Sequence, residues 1–270
     1  MKTMNQQRGI SLIEVMVALA IGLFIILLVT VVYLTGGRHL NFRQGQGENL
    51  ANSRYTLDTL STQLVKAGYR RDPLEKWNKA FPRDSYLGCD FAAKEVVQLL
   101  ADGALCIRYQ QRDEDEKNCS GTHGDIRDLN PYENLKKLEG KEEKGMYFEK
   151  YWVTPDHRLV CNEEDNTIAD GVQSIHFEFG IGPPLSPTDE DEDHKRRVDE
   201  YTTDPGNQPI RSLRYAILLA TSNERVSGGI ESDVCARWIA AGGDGNLCDT
   251  SSGRVYQLVG SALTLRNLMP

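Results

Sequence analysis

Apolar positions are concentrated in one unbroken stretch, ISLIEVMVALAIGLFIILLVTVVYL from Ile10 to Leu34, whose only charge is Glu14. The residues before it, MKTMNQQRG, are polar and basic, with Lys2 and Arg8 and no acid. At 1.5 Å per residue the stretch is about 37 Å long as a helix, enough to cross a hydrocarbon core of about 30 Å. Gly36, Gly37, Gly45 and Gly47 follow within GGRHLNFRQGQG and weaken helix continuity. From Glu48 to Ala67 Leu50, Leu57, Leu60 and Leu64 recur at spacings that place them on one helical face. Gly68 and then Pro73 end that pattern. The expectation is one long helix, soft in its middle, whose second half packs on a domain.

The rest of the chain changes period. Strands are expected at Val96–Leu100, Leu105–Gln111, Met146–Val153, Arg158–Cys161, Ser174–Gly180, Leu213–Thr221 and Val255–Arg266. Ile175, Phe177 and Phe179 alternate with His176 and Glu178, the pattern of a half-buried strand. Leu213–Thr221 is almost wholly apolar and reads as a central strand. The charge runs Asp113–Lys117 and Asp189–Arg197 read as exposed loops, the second stiffened at its entrance by Pro183, Pro184 and Pro187. A helix followed by antiparallel strands is an α+β pattern.

The 270 residues allow one large or two small domains behind the anchor. The mean hydropathy of -0.46 shows that everything beyond the apolar stretch is water-compatible. A net charge of -8 argues against direct nucleic-acid binding, and the basic clusters Arg70–Arg71 and Lys195–Arg197 read as solvated loop charges. The basic N-terminal flank favours a cytoplasmic N-terminus and an exported C-terminal part. All six cysteines, Cys89, Cys106, Cys119, Cys161, Cys235 and Cys248, lie in that exported part without a C-x-x-C pair. They read as disulfides of an oxidising compartment. The spacing singles out only Cys235 with Cys248, around Gly242, Gly243 and Gly245.

A secretory signal peptide fits poorly, because its apolar region is shorter and ends in a small-residue cleavage site. A plain signal anchor has no use for Glu14, since a carboxylate within an apolar helix costs roughly 3 kcal/mol near its centre. Cleavage after Gly9 would create an amine at Ile10, four residues from Glu14 and on the same helix face. In a helical assembly the same carboxylate could meet the amine of a neighbour at low dielectric.

The segment RGISLIEVMVALAIG resembles the class III prepilin motif: a basic leader ending in Gly, an apolar residue, Ser, Leu, an apolar residue and Glu. Ile10 stands where the familiar version has Phe. The resemblance implies cleavage between Gly9 and Ile10 by a prepilin peptidase, N-methylation of Ile10, and an assembly role for Glu14. It implies four segments: a leader at 1–9, a transmembrane and filament-core helix at 10–34, its amphipathic continuation at 35–68, and a pilin-like periplasmic domain at 69–270. KAGY at Lys66–Tyr69, IADGVQSIHFEFG, RSLRYAILLATSN and ALTLRN are similar, in that order, to elements of PilW-type minor pilins. That similarity implies a minor pilin of the inner membrane and then the pilus, which primes assembly near the filament tip. Its implied partners are other minor and major pilins, the inner-membrane assembly machinery and a PilY-type adhesin. A type II secretion pseudopilin and a signal-anchored periplasmic binding domain are the alternatives.

The chain contains no P-loop, dinucleotide fingerprint, HExxH or G-x-S-x-G. His157 and Cys161 read as a strand histidine beside a disulfide, and Asp244, Asn246 and Asp249 as a glycine turn closed by Cys248 in preference to a calcium loop. No enzyme activity, cofactor or metal is expected.

Overall fold

The structure is a computed structural model, and it describes residues 11–123, 132, 145–183, 197–224, 226–227 and 233–269. Helix α1 runs without interruption from Leu12 to Leu64, 53 residues and about 80 Å at 1.5 Å per residue. Ser11 precedes it in an extended conformation, and Glu14 in its first turn complements the positive end of the helix dipole.

The expected softening at the glycines does not break the helix. A glycine costs about 1 kcal/mol relative to alanine, too little to divide a cooperative helix with good formers on both sides. Gly36, Gly37 and Gly47 face open space, but a Cβ on Gly45 would lie 2.7 Å from the Thr221 Cγ2. Gly45 is therefore where the helix first comes close to the domain. Below it the buried face is Gly45, Asn49, Ser53, Thr56, Leu60 and Leu64. Three of the four leucines of the stripe meet the core: Leu60 and Leu64 are fully buried and Leu57 packs beside them, whereas Leu50 is exposed. Of the polar side chains in the upper part of that face, Asn49 donates to the Val255 carbonyl and Ser53 accepts from Gln257, whereas Thr56 donates back to the Asn52 carbonyl of its own helix.

Short helix α2 (Trp77–Ala80) and the hairpin β1 (Asp84–Tyr86) and β2 (Cys89–Phe91) follow. A five-stranded antiparallel sheet is then built in chain order from β3 (Val97–Leu99), β4 (Leu105–Gln110), β5 (Met146–Val153), β6 (Arg158–Cys161) and β7 (Glu163–Asp170). The second sheet comprises β8 (Val172–Ile181), β9 (Glu200–Thr202), β10 (Ile210–Ala220) and β11 (Tyr256–Thr264), ordered β11-β10-β8-β9. Helix α3 (Val234–Ala240) covers part of that sheet's outer face through Trp238, Leu218 and Leu258. One core, containing Leu60, Leu64, Tyr109, Tyr151, Phe177, Phe179, Leu213 and Tyr215, joins the lower half of α1 to both sheets. This is the α+β, pilin-like architecture, with disulfides in the loop-rich part.

The seven expected strands are all present with small shifts at their ends, and β10 is internal as its apolar run required. The chain also forms α2, α3, β1, β2, β7 and β9, which periodicity did not indicate. Strand β7 opens Glu-Glu-Asp and exposes those residues; it pairs because Asn162, at φ 61°, turns the chain back onto β6.

Two expectations about charge are corrected. Arg71 is buried rather than solvated, and its guanidinium donates to the carbonyls of Gln111 and Arg112. Arg70 lies over the Trp77 ring, 4.4 Å from its centroid. In the loop Asp113–Lys117, Glu116 turns inward to pair with Lys66 at 3.6 Å. Lys195, Arg196, Pro184, Pro187 and nearly all of Asp189–Arg197 lie outside the described residues.

Candidate functional site

The upper half of α1 has the wrong surface for water. Leu12, Ile13, Leu19, Leu23, Phe24, Ile26 and Val32 are each more than half exposed. Each such side chain forgoes about 1.5–3 kcal/mol until it meets lipid or another apolar surface. This is one helix long and apolar enough to cross a membrane. Glu14 is exposed on its first turn. A carboxylate there is at ease in water or headgroups but costly in hydrocarbon, unless a cation accompanies it. Gly9 and Ile10 lie outside the described residues, so the proposed cleavage point has no described geometry.

The lower half is fastened by hydrogen bonds spread along its length. Asn49 Nδ2 donates to the Val255 carbonyl at 2.9 Å, and Asn52 Nδ2 donates to the Asp170 carbonyl at 3.1 Å. At the helix end Asn267 Nδ2 donates to the carbonyls of Val65, Lys66 and Ala67 at 3.0–3.4 Å. Those are carbonyls that a helix C-terminus leaves unsatisfied. The last residues of the chain thus hold the end of the first helix.

The six cysteines form three bridges, Cys89–Cys106, Cys119–Cys161 and Cys235–Cys248, with Cα separations of 6.2, 6.1 and 5.6 Å. The first ties the β1–β2 hairpin to β4, the second ties the loop after β4 to β6, and the third closes the turn after α3. Each constrains the unfolded chain by about 2–4 kcal/mol.

Beside the second bridge lies a cluster that the sequence reading missed. The Glu149 carboxylate is buried and accepts from the Tyr109 hydroxyl at 2.7 Å, the Tyr151 hydroxyl at 2.5 Å and the Cys119 backbone N–H at 2.7 Å. Burial raises its pKa above the ordinary carboxylate range, although the three hydrogen bonds and Lys66 pull it back. The Tyr109 and Tyr151 hydroxyls are pushed well above 10 by burial and by that carboxylate. Asn166 Nδ2 donates to the carbonyls of both Cys119 and Cys161. The signal in the sequence was the alternation Tyr147-Phe-Glu149-Lys-Tyr151, which places Glu149 on the buried side of β5. Arg108 is also fully buried and donates to the carbonyls of Pro82, Ala92 and Glu95. These groups hold loops to the sheet.

The remaining candidates resolve as turns. Asp244 Oδ1 accepts from the Asn246 backbone and side chain, and Asp249 Oδ1 accepts from the Ser251 backbone and hydroxyl. Among the described residues no three His, Cys, Asp or Glu are grouped to hold a metal ion. His157 lies in the turn before β6, at φ 61°, and not on a strand as expected, while Cys161, at the other end of β6, is in a bridge.

Residues 4–30 match a family model described as the prokaryotic N-terminal methylation motif. No curated protein and no solved structure matches the chain. The motif belongs to proteins with a structural rather than a catalytic task, and it coincides with the exposed apolar half of α1 and with Glu14. What the chain carries is therefore a class III prepilin-like N-terminus, the feature that supports placing it with the type IV pilins and pseudopilins.

Proposed function

We propose that the protein is a minor pilin of a type IV pilus, of the PilW type. A prepilin peptidase removes residues 1–9 and N-methylates Ile10. Segment 10–34 then holds the subunit in the inner membrane, 35–68 carries it to the domain, and 69–270 stands in the periplasm. On assembly the apolar half of α1 leaves lipid for a bundle of other pilin helices, and Glu14 meets the N-terminal amine of a neighbour. The subunit primes assembly with other minor pilins ahead of the major pilin. It remains near the tip, beside a PilY-type adhesin. The filament, and not this chain alone, would reach the cell surface.

The observation that carries this reading is the coincidence of the methylation motif with a helix half that has no partner among the described residues. Moving that half from one apolar surroundings to another costs little, whereas exposing it to water is prohibitive. A type II secretion pseudopilin shares both features, and the filament in which the protein is found separates the two. Gly9→Ala tests the reading: uncleaved precursor should accumulate in membranes and be missing from sheared filaments. Normal incorporation of the uncleaved form would contradict it.

A further inference from the structure

Among the described residues the two larger sheets have four outer strands, and three of them are protected. Strands β3 and β9 are only 3 residues long. Strand β7 begins Glu163-Glu164-Asp165 and its pairing with β6 shifts register twice. Short length, charge and irregular register are the usual means by which an outer strand avoids pairing with another chain. Strand β11 has none of them. It is 9 residues long, YQLVGSALT, without charge or proline, and pairs with β10 through nine consecutive positions without a shift. Its other side pairs with no strand among the described residues. Near its start Gln257 reaches Ser53 of α1, but Gly260, Ala262 and Thr264 are exposed.

A cleft lies on the outer face beside the same strand. It has a volume of about 630 Å³ and is lined on one side by Ile239–Gly242 at the end of α3. Its floor includes Ala216, Gly260 and Ala262, and the Arg214–Glu178 ion pair, at 2.6 Å, stands at its far side. A side chain at 260 would meet the Tyr215 carbonyl oxygen at 2.7 Å, so the floor is kept low by the sheet's own geometry. Ile239 is 56% exposed over this space.

We propose that β11 is a docking edge for an extended, uncharged strand of another protein, with bulky apolar side chains at alternate positions that enter the cleft beside α3. Free backbone groups on a long regular edge are matched by another extended backbone, and pockets beside the edge select its alternate side chains. A second copy of this chain is the poorer occupant. On this face its β11 offers Gly260, Ala262 and Thr264, while its Tyr256 and Leu258 are already packed around Trp238. Two domains from a chain of net charge -8 also repel each other. The inference stands whether or not the N-terminus is processed as proposed above.

The test is amide hydrogen exchange on the full chain in lipid nanodiscs, with and without a synthetic peptide. The peptide matches β11 in length, alternates leucine with threonine and carries terminal lysines for solubility. The expected result is saturable protection confined to β11 and the end of α3. Ala262→Lys and Ile239→Asp, both at exposed positions, should each weaken binding by about tenfold while leaving the melting temperature unchanged. A peptide with a central proline should not protect β11. Absence of protection at β11, or protection indifferent to both substitutions, would overturn the proposal. Protection that grows with protein concentration in the absence of peptide would assign the edge to a second copy and overturn it equally.

Discussion

The two halves of α1 are one continuous helix with opposite relations to the rest of the molecule. From Leu12 to Leu34 its large side chains are exposed and apolar, and among the described residues nothing packs on them. From Gly45 to Leu64 its buried face begins small and polar and ends in leucine. The upper half is apolar but unburied, and the lower is buried although partly polar. Hydrophobicity alone therefore does not say where a helix docks in its own chain. The upper half is written for surroundings outside the molecule, and the lower half for specific carbonyls such as those of Val255 and Asp170.

The sharpest way to break this contrast is to remove the same side chain from each half. Leu64→Ala should destabilise the domain by about 2–5 kcal/mol, because it leaves a cavity where α1 meets both sheets. Leu28→Ala, in the exposed half, should leave the domain's melting unchanged in detergent. Thermal unfolding followed by circular dichroism checks both.

The glycines give a smaller version of the same test. Gly45→Ala should cost about 1–3 kcal/mol, since its Cβ would press on the Thr221 methyl. Gly37→Ala meets open space and should stabilise the helix by up to about 1 kcal/mol. Paired denaturant titrations would show opposite signs.

The smallest effect is expected from Glu149, and pH reveals it. Its pKa is raised in the fold, so the folded state binds the proton more tightly than the unfolded chain does. Its contribution is fully favourable below the ordinary carboxylate range and is lost as pH rises through the folded value. Glu149→Gln keeps a group able to bond Tyr109, Tyr151 and the Cys119 N–H but cannot titrate. Relative to the native protein the variant should therefore gain stability as pH rises from about 4 toward neutrality. Equal slopes for the two proteins in urea titrations across that range would contradict this account.

Much of this organisation was legible beforehand, for identifiable reasons. The helix was visible because its apolar stretch has no other reading, and β8 and β10 because strict alternation and a full apolar run belong to half-buried and internal strands. Arg71, Glu149 and Asn267 were not visible as anchors. Their partners are backbone carbonyls or groups far along the chain, and no local pattern marks a polar residue that is to be buried and satisfied. Strand β7 was hidden because its polar residues face water on a strand held by its neighbour. The outcome at the glycines shows the limit of propensity: four unfavourable residues did not outweigh the cooperativity of the turns around them.

The N-terminal peptide tests the central claim most directly. Mass spectrometry of protein taken from membranes and from sheared filaments of the native host should find N-methylated Ile10 in both. An intact Met1 in both preparations would contradict it, and would leave α1 as a signal anchor with an unexplained Glu14.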